Sequence, residues 1–258
     1  MQYQGRFVWR DLMTTDIETS QEFFQKLLGW DTEVFDMGPN GTYTMFKLRD
    51  APTFGGITQL DGSHGALPHW LSYISMDDVD DFCVRASEMG ATVAVEPGDI
   101  PGIGRFAVLA DRQGANFSVF SEPVKSAVDE PGEGNLPHGA VVWNELMTGD
   151  VEAATAFYTR MFDWDSEVAD VGIGPYTLLR NGSTLVAGMN KKPDDMPVSA
   201  WTIYFEAADI DKAVERVGEL GGQILFPVME IPRTGRITWA TDPAGAVFGM
   251  MQSDQMAQ

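Results

Sequence analysis

The chain has 258 residues and a formal charge of −21, with 38 acidic side chains against 17 Lys and Arg. The acidic excess is spread over both halves and leaves no basic patch, stripe or arm, so nucleic acid and anionic membranes are excluded as expected partners. With one cysteine no intrachain disulfide forms. Without a signal-like start or an apolar run of about 18 residues, a soluble cytoplasmic protein is expected.

Arg6 to Leu12 alternates as a strand, with Val8, Arg10 and Leu12 on one face and Phe7, Trp9 and Asp11 on the other. Asp16 is a good helix N-cap. Its helix carries Ile17, Phe23, Phe24, Leu27 and Leu28 toward a core and stops at Gly29. Three β-rich runs follow, at 31–37, 42–48 and 54–60, separated by Gly, Pro and Asn turns. From Trp70 the order recurs: a strand over 70–76, an amphipathic helix over 79–89, then strands over 91–95, 104–110 and 116–120. Cys83 lies in that helix and reads as a buried, inert thiol.

The whole of this then repeats. VWRDLMTTDIETSQEFFQKLLGWDTEVFDMG from Val8 returns as VWNELMTGDVEAATAFYTRMFDWDSEVADVG from Val142, and IPGIGRFAVLADRQGANF from Ile100 as IPRTGRITWATDPAGAVF from Ile231. Each copy is long enough to bury a core of its own, so two domains are expected, at 1–122 and 138–253. Residues 123–137 between them are polar and rich in Pro and Gly, and read as a linker. The expected fold is α+β: four βαβββ modules in two tandem domains.

That module count, the Asp-capped helix ending in LLGW or MFDW, the phrases ISMDDVDDF and FEAADIDKA, and the closing turns ADRQGANFSVF and TDPAGAVFGMM resemble the vicinal oxygen chelate superfamily. This is the group of glyoxalase I, extradiol dioxygenases, fosfomycin-resistance enzymes and bleomycin-binding proteins. The resemblance covers both domains and is similar in layout to two-domain glyoxalase-like proteins. It implies tandem vicinal oxygen chelate domains, a pseudo-dimer within one chain, whose paired modules form a cup around a ligand. Metal-using members carry His, Gln or Glu on particular strands. The first of those places, counted back from Asp16 and Asp150, falls on Trp9 and Trp143. The second falls near Leu71 and Thr202 and the last near Ser118 and Gly249, while the remaining one falls within FGGI and VAGM. None is a metal donor of that kind. The histidines, His64, His69 and His138, have no counterparts in the other copy, so no divalent metal or other cofactor is expected.

Strand alternation places Asp11 beside Trp9 and Glu145 beside Trp143 on a shared face. Tyr73 and Tyr204, two residues beyond Leu71 and Thr202, join that inner face. Trp9, Tyr73, Trp143 and Tyr204 are therefore the candidate ligand-binding residues, and Asp11 and Glu145 the candidate catalytic carboxylates. A carboxylate in an apolar cup has a raised pKa, which suits proton abstraction beside a carbonyl. The competing structural reading ties these acids to Arg105 and Arg236 of the closing loops. Lys47 and Arg180 occupy matching places and read as solvated. The sequence is best read as a metal-free protein that binds a small organic molecule, cationic or aromatic, in one or both cups. A glyoxalase-type lyase or isomerase acting on an enolisable carbonyl compound is the alternative.

Overall fold

The computed structural model describes residues 4–38, 41–60, 65–122, 136–172 and 174–254; the expected linker lies almost wholly outside them. The first copy contains β1 (Phe7–Thr14), α1 (Ile17–Leu28), β2 (Asp31–Asp36), β3 (Thr42–Lys47), β4 (Thr53–Gln59), β5 (His69–Ser75), α2 (Val79–Glu88), β6 (Thr92–Ile100), β7 (Gly104–Ala110) and β8 (Asn116–Ser121). The second contains β9 (Val141–Thr148), α3 (Val151–Phe162), β10 (Asp165–Asp170), β11 (Pro175–Asn181), β12 (Thr184–Lys191), β13 (Ala200–Glu206), α4 (Ile210–Glu219), β14 (Gln223–Ile231), β15 (Gly235–Thr241) and β16 (Val247–Ser253). The four βαβββ modules are therefore present.

Each helix starts on an aspartate. The side chains of Asp16, Asp78, Asp150 and Asp209 accept the backbone N–H of Thr19, Asp81, Ala153 and Lys212. A cap of this kind stabilises a helix by about 1 kcal/mol. Helix α1 ends on Gly29 at φ 69°, and α3 at the same place on Asp163 at φ 56°, a left-handed turn that Gly adopts without steric cost.

The helical crossover in each module makes its outer strands parallel: β1 pairs β4 with Asp11 opposite Gly56, and β9 pairs β12 with Glu145 opposite Gly188. Each copy forms one eight-stranded sheet, ordered β2-β3-β4-β1-β5-β8-β7-β6 and β10-β11-β12-β9-β13-β16-β15-β14. Strand β6 runs to Ile100, beyond the expected stop at 95. Pro97 is tolerated because β6 is an edge strand with register shifts between Val93 and Gly98.

The cores are arranged differently from the expectation of one per copy. One compact unit joins α2 and most of β5–β8 with α3 and most of β9–β12; the other joins α1 and β2–β4 with α4 and most of β13–β16. In the first, Phe82 and Phe117 of copy one pack with Phe157, Tyr158 and Phe162 of copy two. In the second, Phe23, Phe24 and Trp30 of copy one pack with Phe205 and Phe248 of copy two. Periodicity tells which face of an element is apolar, and here each apolar face found its partner in the other copy.

A buried polar link runs through each core. In the second unit the Ser20 hydroxyl donates to Asp242 at 2.5 Å, while the Ala246 N–H bonds the other carboxylate oxygen. In the first, the Trp201 indole donates to the Tyr158 hydroxyl at 2.9 Å, and that hydroxyl donates to Asp111 at 3.1 Å.

Two outcomes are expected. Expressed alone, residues 1–122 or 138–258 lack half of both cores, so each should be unfolded or self-associated by sedimentation, and mixing should restore the circular dichroism of the intact chain. Burial raises the Asp242 carboxyl above its ordinary value, against hydrogen bonds from Ser20 and Ala246 that lower it. A raised carboxyl stabilises the fold fully below its unfolded pKa, and that contribution is lost as pH rises through the folded value. Asp242→Asn should therefore gain stability relative to the unsubstituted chain between pH 3 and pH 7 in urea melts, and a constant difference would refute the burial effect.

Candidate functional site

Leu12, Phe46 and Ile57 of the first module enter a helix-packed core, as do Leu146, Leu179 and Ala187 of the third. By alternation, Asp11 and Tyr43 lie on the face opposite the helices, and so do Glu145 and Tyr176. Both acids are nearly excluded from solvent, Asp11 at 8% exposure and Glu145 at 7%. Each meets a tyrosine from the neighbouring hairpin. The Tyr43 hydroxyl donates to Asp11 Oδ1. The Tyr176 hydroxyl donates to Glu145 Oε1 at 2.8 Å and accepts the Trp143 indole N–H at 2.9 Å.

A glycine makes each pair possible. A β-carbon placed on Gly56 would stand 2.0 Å from the Tyr43 hydroxyl, and one on Gly188 2.2 Å from that of Tyr176. Gly56 is the residue opposite Asp11, and Gly188 the residue opposite Glu145. The phenol ring thus fills the space that a side chain in FGGI or VAGM would claim. In chemical terms, one place in each copy that suits a metal donor holds a glycine under a tyrosine instead.

The other such places fit a metal no better. Leu71 is aliphatic and buried, the Ser118 hydroxyl donates to the Ala107 carbonyl at 2.8 Å, and Gly249 has no side chain. His69 Nδ1 bonds the Leu67 carbonyl, while His138 bonds Leu27 O through Nε2 and Ala208 N through Nδ1. His64 lies outside the described residues. Among the described residues no group of three or more His, Cys, Asp or Glu is placed to hold a metal ion.

The two arginines of the competing reading have aspartates outside this cluster as partners. Arg105 bonds Asp80 and Asp99, with N–O distances of 2.6 to 2.8 Å, and Arg236 bonds Asp211 at 2.7 and 2.8 Å. These are exposed ion pairs, with Asp80 and Asp211 in the first turns of α2 and α4, and they hold those two carboxyls below their ordinary range. Lys47 and Arg180 stand 3.8 Å from Glu33 and Glu167 on exposed strands, contacts of small energetic weight.

The remaining candidates divide. Tyr73 is buried with Phe106 and Phe120 as ring neighbours, and Tyr204 is buried with its hydroxyl accepting the Trp239 indole N–H at 2.5 Å. Trp9 and Trp143 are half-buried. Trp143 and Glu145 meet at Tyr176, a residue that pattern reading passed over along with Tyr43. Their signal was the repeat itself, since GTYT at 41–44 returns as GPYT at 174–177. Burial comes first among the causes that push the Tyr176 phenol far above its ordinary value, followed by the charge of Glu145; the bond from Trp143 opposes them. The phenol therefore stays protonated and its hydrogen is directed at the carboxylate.

The profile of the Glyoxalase/Bleomycin resistance protein/Dioxygenase superfamily matches residues 6–119 and 139–250, and the chain belongs to that superfamily. Anthracycline biosynthesis protein DnrV of Streptomyces peucetius is 31% identical, with 96% of this chain and 93% of that one covered. A protein of Mycobacterium tuberculosis (strain CDC 1551 / Oshkosh) named "Putative glyoxylase CFP32" is 28% identical, over 96% and 95%. The crystal structure of the Mn(II)-bound glyoxalase from Novosphingobium aromaticivorans shares the fold, at TM-score 0.64 and 16% identity, with 97% of this chain and 82% of that one covered.

The buried phenols set an expectation for alkaline titration. Tyr176 and Tyr158 both have folded pKa values raised above the ordinary 10.0, so their contribution to stability is complete below that pH and is lost as pH rises beyond it. Difference absorbance of the native chain should titrate fewer than its six tyrosines near pH 10, with the rest ionising only on unfolding. Tyr176→Phe should leave the native amplitude unchanged and lower stability by about 1–3 kcal/mol, the usual cost of a buried polar group losing its partner. A native amplitude that falls by one tyrosine would show that Tyr176 ionises freely.

Proposed function

We propose that this superfamily member binds a small organic molecule on the helix-free face of one or both sheets, without a divalent metal. The observation that carries the reading is the pairing of a buried carboxylate with a phenol over glycine, made twice, at Asp11–Tyr43–Gly56 and Glu145–Tyr176–Gly188. A mostly apolar surface with a few fixed polar groups is what small-molecule sites use to orient a ligand. The occurrence of relatives named for anthracycline biosynthesis supports an organic ligand.

A second reading is favoured by the Trp143–Tyr176–Glu145 chain. The two hydrogen bonds fix the phenol so that its proton points at Glu145, and an ionised Glu145 can take a proton from a carbon beside a carbonyl. The electron pair of that C–H bond then forms the enolate; where the carbon carries a hydroxyl this is an enediolate, and protonation of the former carbonyl carbon, with the hydroxyl proton lost as the new C=O forms, completes an isomerisation. This is glyoxalase-type chemistry on an enolisable carbonyl, carried by a side-chain base.

Elemental analysis of dialysed protein should find far less than one equivalent of Zn, Ni, Mn or Fe; about one per domain, resistant to dialysis, would overturn the metal-free reading. Native mass spectrometry and calorimetry with a panel of small organic compounds should find binding that Asp11→Asn or Glu145→Gln weakens about tenfold. Binding indifferent to both substitutions would remove the acid–phenol pairs from the site. Deuterium uptake into enolisable ketones in D2O, lost in Glu145→Gln, would establish the second reading, and no uptake would reject it.

A further inference from the structure

The two copies agree at the acid–phenol pairs and differ in one row of the second module of each copy. In copy two, Tyr204 on β13 pairs with Gly249 on β16, Gly249 with Trp239 on β15, and Trp239 with Phe226 on β14. Directly opposed residues share a face, so these four positions form one line across four strands. It lies on the helix-free face, because the flanking Ile203, Phe205 and Ala240 all enter the helix-packed core. In copy one the same line reads Tyr73, Ser118, Val108, Val95. The fold is therefore satisfied by serine and two valines where copy two places glycine, tryptophan and phenylalanine.

The aromatic row has internal order. With no side chain at Gly249, the Tyr204 ring leans over it, and a β-carbon there would stand 2.4 Å from the ring. The Tyr204 hydroxyl takes the Trp239 indole N–H at 2.5 Å. The indole donor is thus satisfied within the protein, and what Trp239 offers beyond it is its π face. Phe226 follows with its ring centroid 6.4 Å away at 52°, and it is 43% exposed. The copy-one counterpart Val95 is 45% exposed, so both copies leave this edge position open to solvent, and copy two alone places an aromatic ring there.

We propose that Trp239 and Phe226 form a stacking site for a flat, conjugated ring system bearing no negative charge, a ligand contact that copy two has and copy one lacks. Stacking follows from an indole that presents a face and no donor, and ring stacking of this kind tolerates varied chemistry so long as the partner is planar. The exclusion of anions follows from the net charge of −21, which repels them at low salt. The proposal rests on the small-molecule reading above and adds the place and the ligand class.

The test is calorimetric titration of the intact chain with proflavine, a planar cation, alongside the saturated diamine trans-1,4-diaminocyclohexane. Proflavine should bind and the diamine should not. The double change Trp239→Val and Phe226→Val, which writes the copy-one residues into copy two, should weaken proflavine at least tenfold, equivalent to about 1.4 kcal/mol. Trp239→Phe should cost less than threefold, and Val95→Ala in copy one should change nothing. If the double variant fails to fold, Phe226→Val alone carries the test, since that side chain sits on an edge strand; a loss of about threefold is then expected. Undiminished proflavine binding in a folded variant would overturn the aromatic site while leaving small-molecule binding intact. Equal binding of the diamine would overturn stacking in favour of charge. A chain that binds neither probe nor any compound of the wider panel would overturn the small-molecule reading, and the aromatic site with it.

Discussion

Aromatic packing between a helix of one copy and a sheet of the other is the interaction on which the rest of this protein depends. Phe24 of α1 stacks on Trp30 and meets Phe205 and Phe248 of copy two edge-on; Tyr158 of α3 meets Phe117 of copy one edge-on. Each such pair contributes about 0.5–1.5 kcal/mol beyond the area it buries, and there are many in each core. Because the helix-facing surfaces are satisfied in this way, the opposite faces of both sheets are released from core packing. That release allows Asp11 and Glu145 to occupy strand positions where a globular core would demand Val or Ile.

Much of this was legible in the sequence because it is local. The aspartate caps, the glycine stops and the strand alternation are encoded within a few residues, and the long repeat tells which signals to count twice. The face of Asp11 and Glu145 is read from alternation relative to Leu12 and Leu146, which enter the cores. What escaped was tertiary. Alternation assigns a face but names no partner, so the competing reading set the acids against Arg105 and Arg236, while those arginines reach Asp80 and Asp211 on the preceding helices. The sharing of cores between copies escaped likewise, since an apolar stripe on α1 reads the same whichever sheet covers it.

The tyrosines show a subtler failure. FGGI and VAGM were read as places from which a donor had been lost, a reading that treats glycine as an absence. In the structure glycine is a requirement, since any β-carbon at Gly56 or Gly188 would collide with the phenol of Tyr43 or Tyr176. The pair of changes makes sense only together. A tyrosine two residues from the strand pairing position needs the facing residue to vanish, and the carboxylate on the next strand then gains a buried hydroxyl as its partner. Gly249 beneath Tyr204 is a third instance of the same device.

The repeat makes symmetry the baseline against which the chain's differences acquire meaning. Where a feature is present in both copies, packing and function are equally good explanations for it, and the acid–phenol pairs stand in that position. Where the copies diverge at one register, packing is the weaker explanation, because the other copy shows what the fold accepts. Tyr–Ser–Val–Val in one copy and Tyr–Gly–Trp–Phe in the other are two solutions to the same sheet geometry. Only the second spends large aromatic surface on solvent. A duplicated domain can keep one half for stability and let the other specialise, since the shared cores hold both halves in place whichever of them meets a ligand.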